Sequence, residues 1–278
     1  MKKLKFLSFL LSLMVITSTG CKKDNPDDNT GGGNDNPPAT KTCYVKKITE
    51  DKGKYTEIAY NSNHKIVKAT DYDSNGNPEN SYVTFSYNTD GSLHEVISYD
   101  NNAIEAKFIY HYTNSKLDSV YLSEDSGNGL KKIGVYAITL NGNKIGEMQM
   151  IAELSGQTVV MQKTVFTYTG DNLTKKETYN LDLTSHQLKL SETSLYEFDS
   201  KKNPFRGIGL DYFFAEEMFF SVNNITKETN KDENGNVKND DSYNYTIEYN
   251  SDGYPTKVTS KTFDGNDTDV TVYSYDCI

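Results

Sequence analysis

Two distant segments of this chain read almost as copies of each other, and this repetition constrains the fold more than any other feature. They are "FSYNTDGSLHEV" (85–96) and "IEYNSDGYPTKV" (247–258). In each segment apolar and polar residues alternate, Asn or Asp with Gly supplies the positive φ of a tight turn, and a more polar return segment follows. The pattern predicts a β-hairpin.

The hairpin pattern recurs along the chain with a nearly fixed period. The last aromatic or large apolar residue before each turn is Tyr60, Tyr87, Tyr112, Leu140, Tyr168, Phe198, Tyr249 or Tyr275. Most intervals between these positions are 25 to 30 residues, and one is 51 residues. Such a period indicates a repeated supersecondary unit. We therefore predict an all-β fold, an antiparallel up-and-down meander of about sixteen strands in repeated hairpins.

The return segments carry one apolar residue at the turn exit and another three positions later. Leu93 and Val96 follow one turn in this way, and Leu117 and Val120 follow the next. Side chains three apart on a regular strand point to opposite faces, so they cannot both reach the core. We predict a β-bulge beside the turn.

The 51-residue interval contains "DYFFAEEMFF" (211–220), which is apolar on nearly all sides. We predict a short helix or plug near 211–220 that covers aromatic surface left by the hairpins. Asp211, Glu216 and Glu217 lie there among aromatic residues, so a glycoside hydrolase that uses Glu216 or Glu217 is a remote alternative. The simpler interpretation places these carboxylates on the wet side of a covering helix, and we predict no enzyme.

The first residues have the organisation of an export signal. Lys2, Lys3 and Lys5 precede an apolar run and the sequence "STGC", which ends at Cys21. We predict a lipoprotein signal peptide at 1–20, with lipid attachment at Cys21. Residues 21–42 are dense in Gly, Pro, Asn and Asp, which is typical of a flexible tether. Residues 43–278 would then form a single repeat-built β domain.

Composition excludes several classes of function. The formal net charge is −10, and the predicted signal peptide carries lysines but no acid, so the mature chain is more acidic still. Nucleic acid and anionic membrane surfaces are poor partners for such a chain. The 4 histidines have no metal-ligand spacing, and no nucleophile or phosphate-binding motif is present. We predict no catalytic residues and no cofactor.

One turn segment partly matches a calcium-binding loop. In "NKDENG" (230–235), Asn230, Asp232 and Asn234 offer oxygen atoms, and Asp241 stands at the twelfth position. A hairpin turn requires the same residue types, and we favour that interpretation. The four residues remain weak calcium candidates.

The repeated unit, an apolar-x-aromatic strand followed by Asn/Asp-Gly and a polar return, resembles the tyrosine–aspartate repeats of Rhs-type shells. It is also similar to a Bacteroidota lipoprotein family of unknown function with a porin-like fold. The resemblance covers about residues 43–278 and implies a meander that curls toward a closed or flattened barrel. Return strands such as "LTKKETY" (173–179) would place lysines in lipid at about 2–4 kcal/mol each, so we do not predict a membrane-spanning barrel.

Two cysteines remain in the predicted mature domain. Cys43 begins the first predicted strand and Cys277 ends the last. In an open sheet of about sixteen strands they would lie roughly 70 Å apart, but in a closed sheet they would be neighbours. We predict a Cys43–Cys277 disulfide across the seam; two unpaired, buried thiols are the alternative.

These features lead to an expectation for function. We expect a non-enzymatic lipoprotein anchored in the outer membrane that binds a glycan or a protein partner through its aromatic-rich sheet or its loops. "CKKDNPDD" (21–28) resembles the export signal of surface lipoproteins in Bacteroidota, which favours display on the cell surface over retention in the periplasm. A structural or assembly accessory of the outer membrane without a small ligand is the alternative.

Overall fold

The computed structural model describes residues 41–125, 127, 129–154, 156–210, 212 and 217–278. Within these residues the chain forms sixteen strands, each antiparallel to and paired with its neighbours in the sequence. The first strand also pairs with the last, which closes the sheet into a barrel. The predicted up-and-down meander is confirmed.

The strands are numbered in chain order. Their bounds are β1 (Cys43–Thr49), β2 (Tyr55–Tyr60), β3 (Ile66–Tyr72), β4 (Pro78–Tyr87), β5 (Leu93–Asp100), β6 (Ala103–Thr113), β7 (Lys116–Asp125), β8 (Leu130–Asn141), β9 (Lys144–Leu154), β10 (Gln157–Thr169), β11 (Asn172–Asp182), β12 (Gln187–Phe198), β13 (Ile225–Asp232), β14 (Tyr243–Tyr249), β15 (Pro255–Thr262) and β16 (Thr268–Cys277). In the described residues, three short 3-10 helices occupy Asp51–Gly53, Glu217–Phe220 and Asn239–Asp241.

Because the strands run alternately up and down, the turns alternate between two ends of the barrel. The plug rim is the end that carries the turns at 61–65, 88–92 and 250–254, together with the Cys43–Cys277 pair. The open rim is the end that carries the turns at 73–77, 183–186 and 263–267.

Four of the repeated tyrosines tie their strand to the strand before it in the barrel. The hydroxyl of Tyr87 donates to the carbonyl of Ile66 at 2.7 Å, and that of Tyr112 donates to the carbonyl of Leu93 at 2.9 Å. Each acceptor begins the return strand of the preceding hairpin. Tyr60 and Tyr275 make the same kind of bond to Val45 and Pro255. These tyrosines pack against the core, so the repeated residue is part of the scaffold.

A register shift accompanies the end of each outgoing strand at the plug rim. The shifts fall at Ala59/Tyr60, Ser86/Tyr87, His111/Tyr112, Thr139/Leu140, Thr167/Tyr168, Glu197/Phe198 and Glu248/Tyr249. In the β4–β5 hairpin the shift places Tyr87 opposite Leu93 and Phe85 opposite Val96. Leu93 and Val96 are both buried, so the predicted bulge is confirmed.

The barrel interior differs between its two halves, the apolar half (β1–β9) and the polar half (β10–β16). Fully buried large side chains such as Val45, Val83, Val96 and Val120 lie mostly on the apolar half. Thr56 and Ser98 are its buried polar strand residues among those described. The buried polar strand residues of the polar half are Thr164, Ser194, Asn230, Ser260 and Thr262.

The connection from β12 to β13 forms a plug across one end of the barrel; its described residues are 199–210, 212 and 217–224. Five of its side chains belong to the hydrophobic core, namely Phe205, Ile208, Leu210, Phe219 and Phe220. The backbone N–H of Ile66 donates to the carbonyl of Ile208, and that of Leu173 donates to the hydroxyl of Ser221. The plug thus reaches both β3 and β11. The predicted short helix is present as the 3-10 helix Glu217–Phe220, whereas residues 211 and 213–216 lie outside the described residues.

The barrel seam joins β1 to β16. Cys43 and Cys277 stand opposite each other in register and form a disulfide between residues 234 positions apart. The predicted bond is confirmed, and it lies at the plug rim.

The predicted signal peptide (1–20), the predicted lipid-attachment residue Cys21 and the tether as far as residue 40 lie outside the described residues. No helix in the described part of the chain is both long enough and apolar enough to cross a membrane.

Candidate functional site

Of the acidic residues predicted on the plug, Glu217 is described, whereas Asp211 and Glu216 lie outside the described residues. Glu217 forms an ion pair with Lys176 of β11. Burial lowers the pKa of Lys176, but the charge of Glu217 and its hydrogen bond outweigh this effect and raise that pKa overall. Glu217 therefore balances a cation inside the barrel, which differs from the expected position on the wet side of a helix.

Two of the four candidate calcium ligands, Asp232 and Asp241, already have partners within the chain. Asp232 accepts a hydrogen bond from the backbone N–H of Asn234 at 2.9 Å, as a turn residue does. Asp241 pairs with Lys238 at 2.5 Å, and Asn230 is buried in the barrel wall. In the described part of the chain, no group of three carboxylate, His or Cys ligand atoms includes Asp232 or Asp241.

One cluster at the plug rim has the spacing of a metal site. The ligand atoms of Cys43, Cys277 and Asp252 lie within 4.8 Å of one another. Both sulfur atoms belong to the disulfide, so neither is a thiolate that could bind a metal. The cluster is part of the seam.

Four tyrosines form a row on the outer face of β2–β5. This outer tyrosine row consists of Tyr55, Tyr72, Tyr82 and Tyr99. Tyr55 stands opposite Tyr72, and Tyr82 stands opposite Tyr99. Each pair of rings is stacked, with centroids 4.8 Å apart in the first pair and 4.4 Å apart in the second. The row faces outward because Val83, the neighbour of Tyr82 on its strand, points into the core.

Two lysines accompany this row. Lys47 Nζ lies 3.3 Å from the ring centroid of Tyr55, and Lys68 Nζ lies 4.2 Å from that of Tyr82. The row is partly exposed. Tyrosine rings stack on apolar faces of a ligand, while phenol and ammonium groups donate hydrogen bonds to its oxygen atoms. Unlike the tyrosines of the repeat, this row is available to a ligand.

Ion pairs between neighbouring strands cover other parts of the outer face. Lys227 of β13 pairs with Glu197 of β12 at 2.8 Å, and Lys257 of β15 pairs with Glu248 of β14 at 2.8 Å. Lys107 of β6 pairs with Glu95 of β5 in the same way. These charged side chains lie on the strands themselves, whose outward positions carry apolar residues in a lipid-facing barrel.

Inside the polar half, seven side chains form an inner polar cluster. Its members are Lys176, Ser194, Tyr196, Glu217, Glu228, Asn230 and Tyr245. Lys176 stands opposite Ser194, which in turn stands opposite Asn230 on the next strand. Tyr196 stands opposite Glu228 on the same two strands, β12 and β13. The cluster therefore crosses β11 to β14 and meets the plug at Glu217.

Glu228 is the central carboxyl group of this cluster. Its two oxygen atoms accept hydrogen bonds from Asn230 Nδ2 and from the hydroxyl of Tyr245, both at 3.1 Å. Burial, together with the negative charge of Glu217, raises the pKa of Glu228 to about 7. Near neutral pH this group is thus divided between its acid and its carboxylate.

Three polar atoms of the cluster have no hydrogen-bond partner among the described residues. They are Ser194 Oγ, Tyr196 Oη and Asn230 Oδ1, and all three are buried. Ser194 is 1 % exposed, Tyr196 is 4 % exposed and Asn230 is 5 % exposed. Buried polar groups without partners are rare because each costs free energy.

Sequence reasoning did not identify the inner polar cluster. The signal is present in "ITKETNKD" (225–232), where Glu228 and Asn230 occupy the alternate positions that carry aromatic or large apolar residues in other strands. The same alternation is typical of a strand with one polar face in water. Closure of the barrel is what turns this face inward.

Solved structures similar to this chain include two described as porin-like proteins. The protein from Bacteroides vulgatus has 11% identity and a TM-score of 0.42, and the match covers 84% of this chain and 98% of that one. The protein from Bacteroides uniformis has 12% identity and a TM-score of 0.36, and the match covers 84% of this chain and 96% of that one.

A third match is the Tc holotoxin pore of Photorhabdus luminescens, with 14% identity and a TM-score of 0.31. It covers 74% of this chain and 12% of that chain. No family model matches the sequence, and no curated protein matches it.

Proposed function

We propose that the protein is a non-enzymatic lipoprotein of the cell envelope, anchored in the outer membrane through Cys21, that binds a glycan with the outer tyrosine row. The observation that carries this proposal is the row itself. Its four rings form two stacked pairs on one outer face, partly exposed and accompanied by lysines. Tyrosine is suited to sugars because its ring stacks on their C–H faces while its hydroxyl bonds to theirs.

The outer face supports a barrel that stands in water. Ion pairs between strands, such as Lys227–Glu197 and Lys257–Glu248, are unfavourable in lipid, where each lysine costs up to about 2–4 kcal/mol at the middle of a bilayer. Anchoring through Cys21 and a tether up to residue 42 is compatible with such a surface. In this proposal the lipid holds the barrel near the membrane, and the barrel displays the row.

Binding is tested with the full mature chain in detergent on an array of polysaccharides and host glycans. The test variant is Tyr82→Ala with Tyr99→Ala, which removes one stacked pair. Thr84→Ala is the matched control, because Thr84 lies on the same strand and the same outer face as Tyr82. We expect the double variant to lose about tenfold or more of the glycan affinity and the control to lose none.

Two results would contradict this proposal. One is the absence of binding by the wild-type chain to any glycan on the array. The other is glycan binding that the double variant retains in full. A protein that is recovered with the wild-type chain and lost with the double variant would show that the row binds a protein partner.

The location is tested in the native host. We expect the chain to partition into detergent and to lose its acyl group when Cys21 becomes Ala. Protease added to whole cells should cleave the barrel, which would show surface display. Protection in whole cells with cleavage after lysis would place the barrel in the periplasm.

A further inference from the structure

We propose that the outer tyrosine row takes an acidic polysaccharide, whose repeated carboxylate groups contact Lys47 and Lys68 while its sugar rings stack on the tyrosines. The assignment rests on the proposed function, because it specifies the class of glycan that the same row would bind.

The outer tyrosine row is long enough for a chain of sugars. Thr70 stands opposite Tyr82, and Tyr72 is the next outward-facing residue of β3 after Thr70. The Tyr55–Tyr72 pair and the Tyr82–Tyr99 pair are therefore diagonal neighbours on one face. Because the row covers the strands from β2 to β5, it extends over three strand spacings, or roughly 14 Å. A surface of this length suits an oligosaccharide better than a single sugar.

The rings of the row hold two ammonium groups in place before any ligand binds. Lys47 Nζ lies over the ring of Tyr55, and Lys68 Nζ lies over the ring of Tyr82. The face of an aromatic ring attracts a cation in this position. An ammonium group has three N–H donors, so those that point away from the ring can still donate to a ligand. Positioning in the free protein lowers the entropy cost of binding.

The charges of these two lysines are not matched by carboxylates. Within the described residues, neither Lys47 nor Lys68 forms an ion pair. Another lysine of the outer face differs in this respect. Lys163 lies 4.8 Å from the ring centroid of Tyr179, but it also has Glu147 at 4.0 Å. The two ammonium groups of the row are therefore available to an anionic ligand.

Two acidic side chains lie near the row. Glu79 is paired with Lys54 at 2.5 Å, so its charge is matched. Glu57 stands opposite Lys47 on β2, but no ion pair joins these two described residues. Glu57 would repel an anionic ligand without occupying the ammonium group of Lys47. Its removal should strengthen the binding of an acidic glycan, which is an effect of opposite sign to the loss of a lysine.

The separation of the two ammonium groups favours a ligand that repeats its charge. Tyr55 belongs to β2 and Tyr82 to β4, so the rings that hold the ammonium groups are two strand spacings apart, or roughly 10 Å. A single carboxylate cannot reach both groups at hydrogen-bond distance. A chain that carries a carboxylate on successive or alternate sugars can contact both.

The experiment is a calorimetric titration of the full mature chain in detergent with oligomers of galacturonate, alginate and hyaluronan. Each oligomer is also titrated after its carboxyl groups have been methyl-esterified. The two forms share one sugar backbone and differ in charge, so the ratio of their affinities measures the contribution of the carboxylates. We expect at least one acid form to bind about tenfold or more tighter than its ester. This preference should shrink in about 1 M salt, where the Debye length is about 3 Å.

The test variant is Lys47→Met with Lys68→Met, which removes both charges and keeps apolar side chains of similar length. We expect it to bind the acid and the ester with about equal affinity, and to bind the ester as the wild type does. Lys227→Met with Lys257→Met is the matched control, because it removes two lysines of the outer face that pair with glutamates. It should keep the full preference. Glu57→Gln should raise the affinity for the acid form about twofold or more.

A second variant separates charge from packing against the rings. Lys47→Arg with Lys68→Arg keeps both cations, so it should keep the preference for the acid form. Thermal unfolding verifies that each variant is folded.

The outcomes distinguish this assignment from the proposed function. Equal affinity for acid and ester in all three pairs would overturn the assignment and leave glycan binding by the row intact. A preference for the acid that Lys47→Met with Lys68→Met retains would also overturn it, because the charge would then be recognised elsewhere. Absence of binding to both forms of every oligomer and to all glycans of the array would overturn the assignment and the proposed function together.

Discussion

The apolar half and the polar half of this barrel share one topology and one hairpin repeat, yet their interiors differ in chemistry. In the apolar half, strand after strand contributes Val, Ile, Leu or Phe to the core. In the polar half, inward positions carry Lys176, Ser194, Glu228 and Asn230. The same strand pairing continues around the whole ring although the chemistry of the inward side chains changes. Four predictions test the comparison, from the largest expected effect to the smallest.

The largest effect concerns the bond that joins the two halves. The disulfide links β1 of the apolar half to β16 of the polar half across 234 positions. Changing Cys43 and Cys277 to Ala should lower the free energy of unfolding by about 5 kcal/mol in the chain-entropy model. Denaturant unfolding measures this loss, with the reduced wild-type chain as the control. Equal stability of oxidised and reduced protein would show that strand pairing alone holds the seam.

The second prediction places the same substitution in each half. Phe85 packs in the apolar half, whereas Phe166 stands opposite Lys176 in the polar half. Phe85→Ala should cost about 3–5 kcal/mol because it leaves an apolar cavity. Phe166→Ala should cost at least about 1 kcal/mol less, because Phe166 contacts Phe220 on one side but Lys176 on the other, and water can enter beside the lysine. Equal losses in denaturant unfolding would mean that the two interiors are packed equally tightly.

The third prediction concerns pH and arises in the polar half. The pKa of Glu228 is about 7 in the folded barrel, against an ordinary value of 4.5. Between these pH values Glu228 is protonated in the folded state and ionised in the unfolded chain. Its contribution therefore makes the free energy of unfolding fall as pH rises from about 4.5 to about 7. The fall amounts to about 3 kcal/mol.

Unfolding curves of Glu228→Gln and wild type across this range measure the contribution of Glu228. The difference between them should change with pH by that amount. Glu248→Gln, on the outer face, serves as the matched control and should follow the wild-type pH profile. If the difference in free energy of unfolding between Glu228→Gln and wild type does not change with pH, this carboxyl group is not held in its acid form.

The smallest effect compares two tyrosine hydroxyls. In the apolar half, Tyr87 donates to the carbonyl of Ile66, whereas in the polar half the hydroxyl of Tyr196 has no partner. Tyr87→Phe should therefore cost about 1 kcal/mol in free energy of unfolding, and Tyr196→Phe should cost nothing. An equal loss for both variants would show that the hydroxyl of Tyr196 is hydrogen-bonded in solution.

Local sequence rules predicted most of the apolar half. Alternation in "VTFSY" (83–87) identifies an inward face, the Gly in the next turn fixes the hairpin, and the spacing of Leu93 and Val96 reveals the bulge. Each of these signals lies within a few residues of the structure that it specifies. The Cys43–Cys277 bond is long-range, and its prediction required the strand count together with the closed sheet that the family resemblance implies.

The polar half was less predictable for a physical reason. A strand with Glu228 and Asn230 at alternate positions normally turns that face to water, and only the closed barrel shows that it faces the interior. Asn230 drew attention as a calcium candidate, yet it bonds to Glu228 inside the barrel. Lys176 and Glu217 are 41 positions apart, and no local pattern connects them.

The bonds from Tyr87 and Tyr112 to the strand immediately before their own have a consequence for how the barrel is built and how it varies. Because Tyr87 and Tyr112 each bond to the return strand of the preceding hairpin, the hairpins that contain them can dock on one that has already been synthesised. The free edge of β1 must wait for the last strand, since its partner is β16. A gene could therefore gain or lose one hairpin and change the circumference of the barrel while most of these ties stay intact.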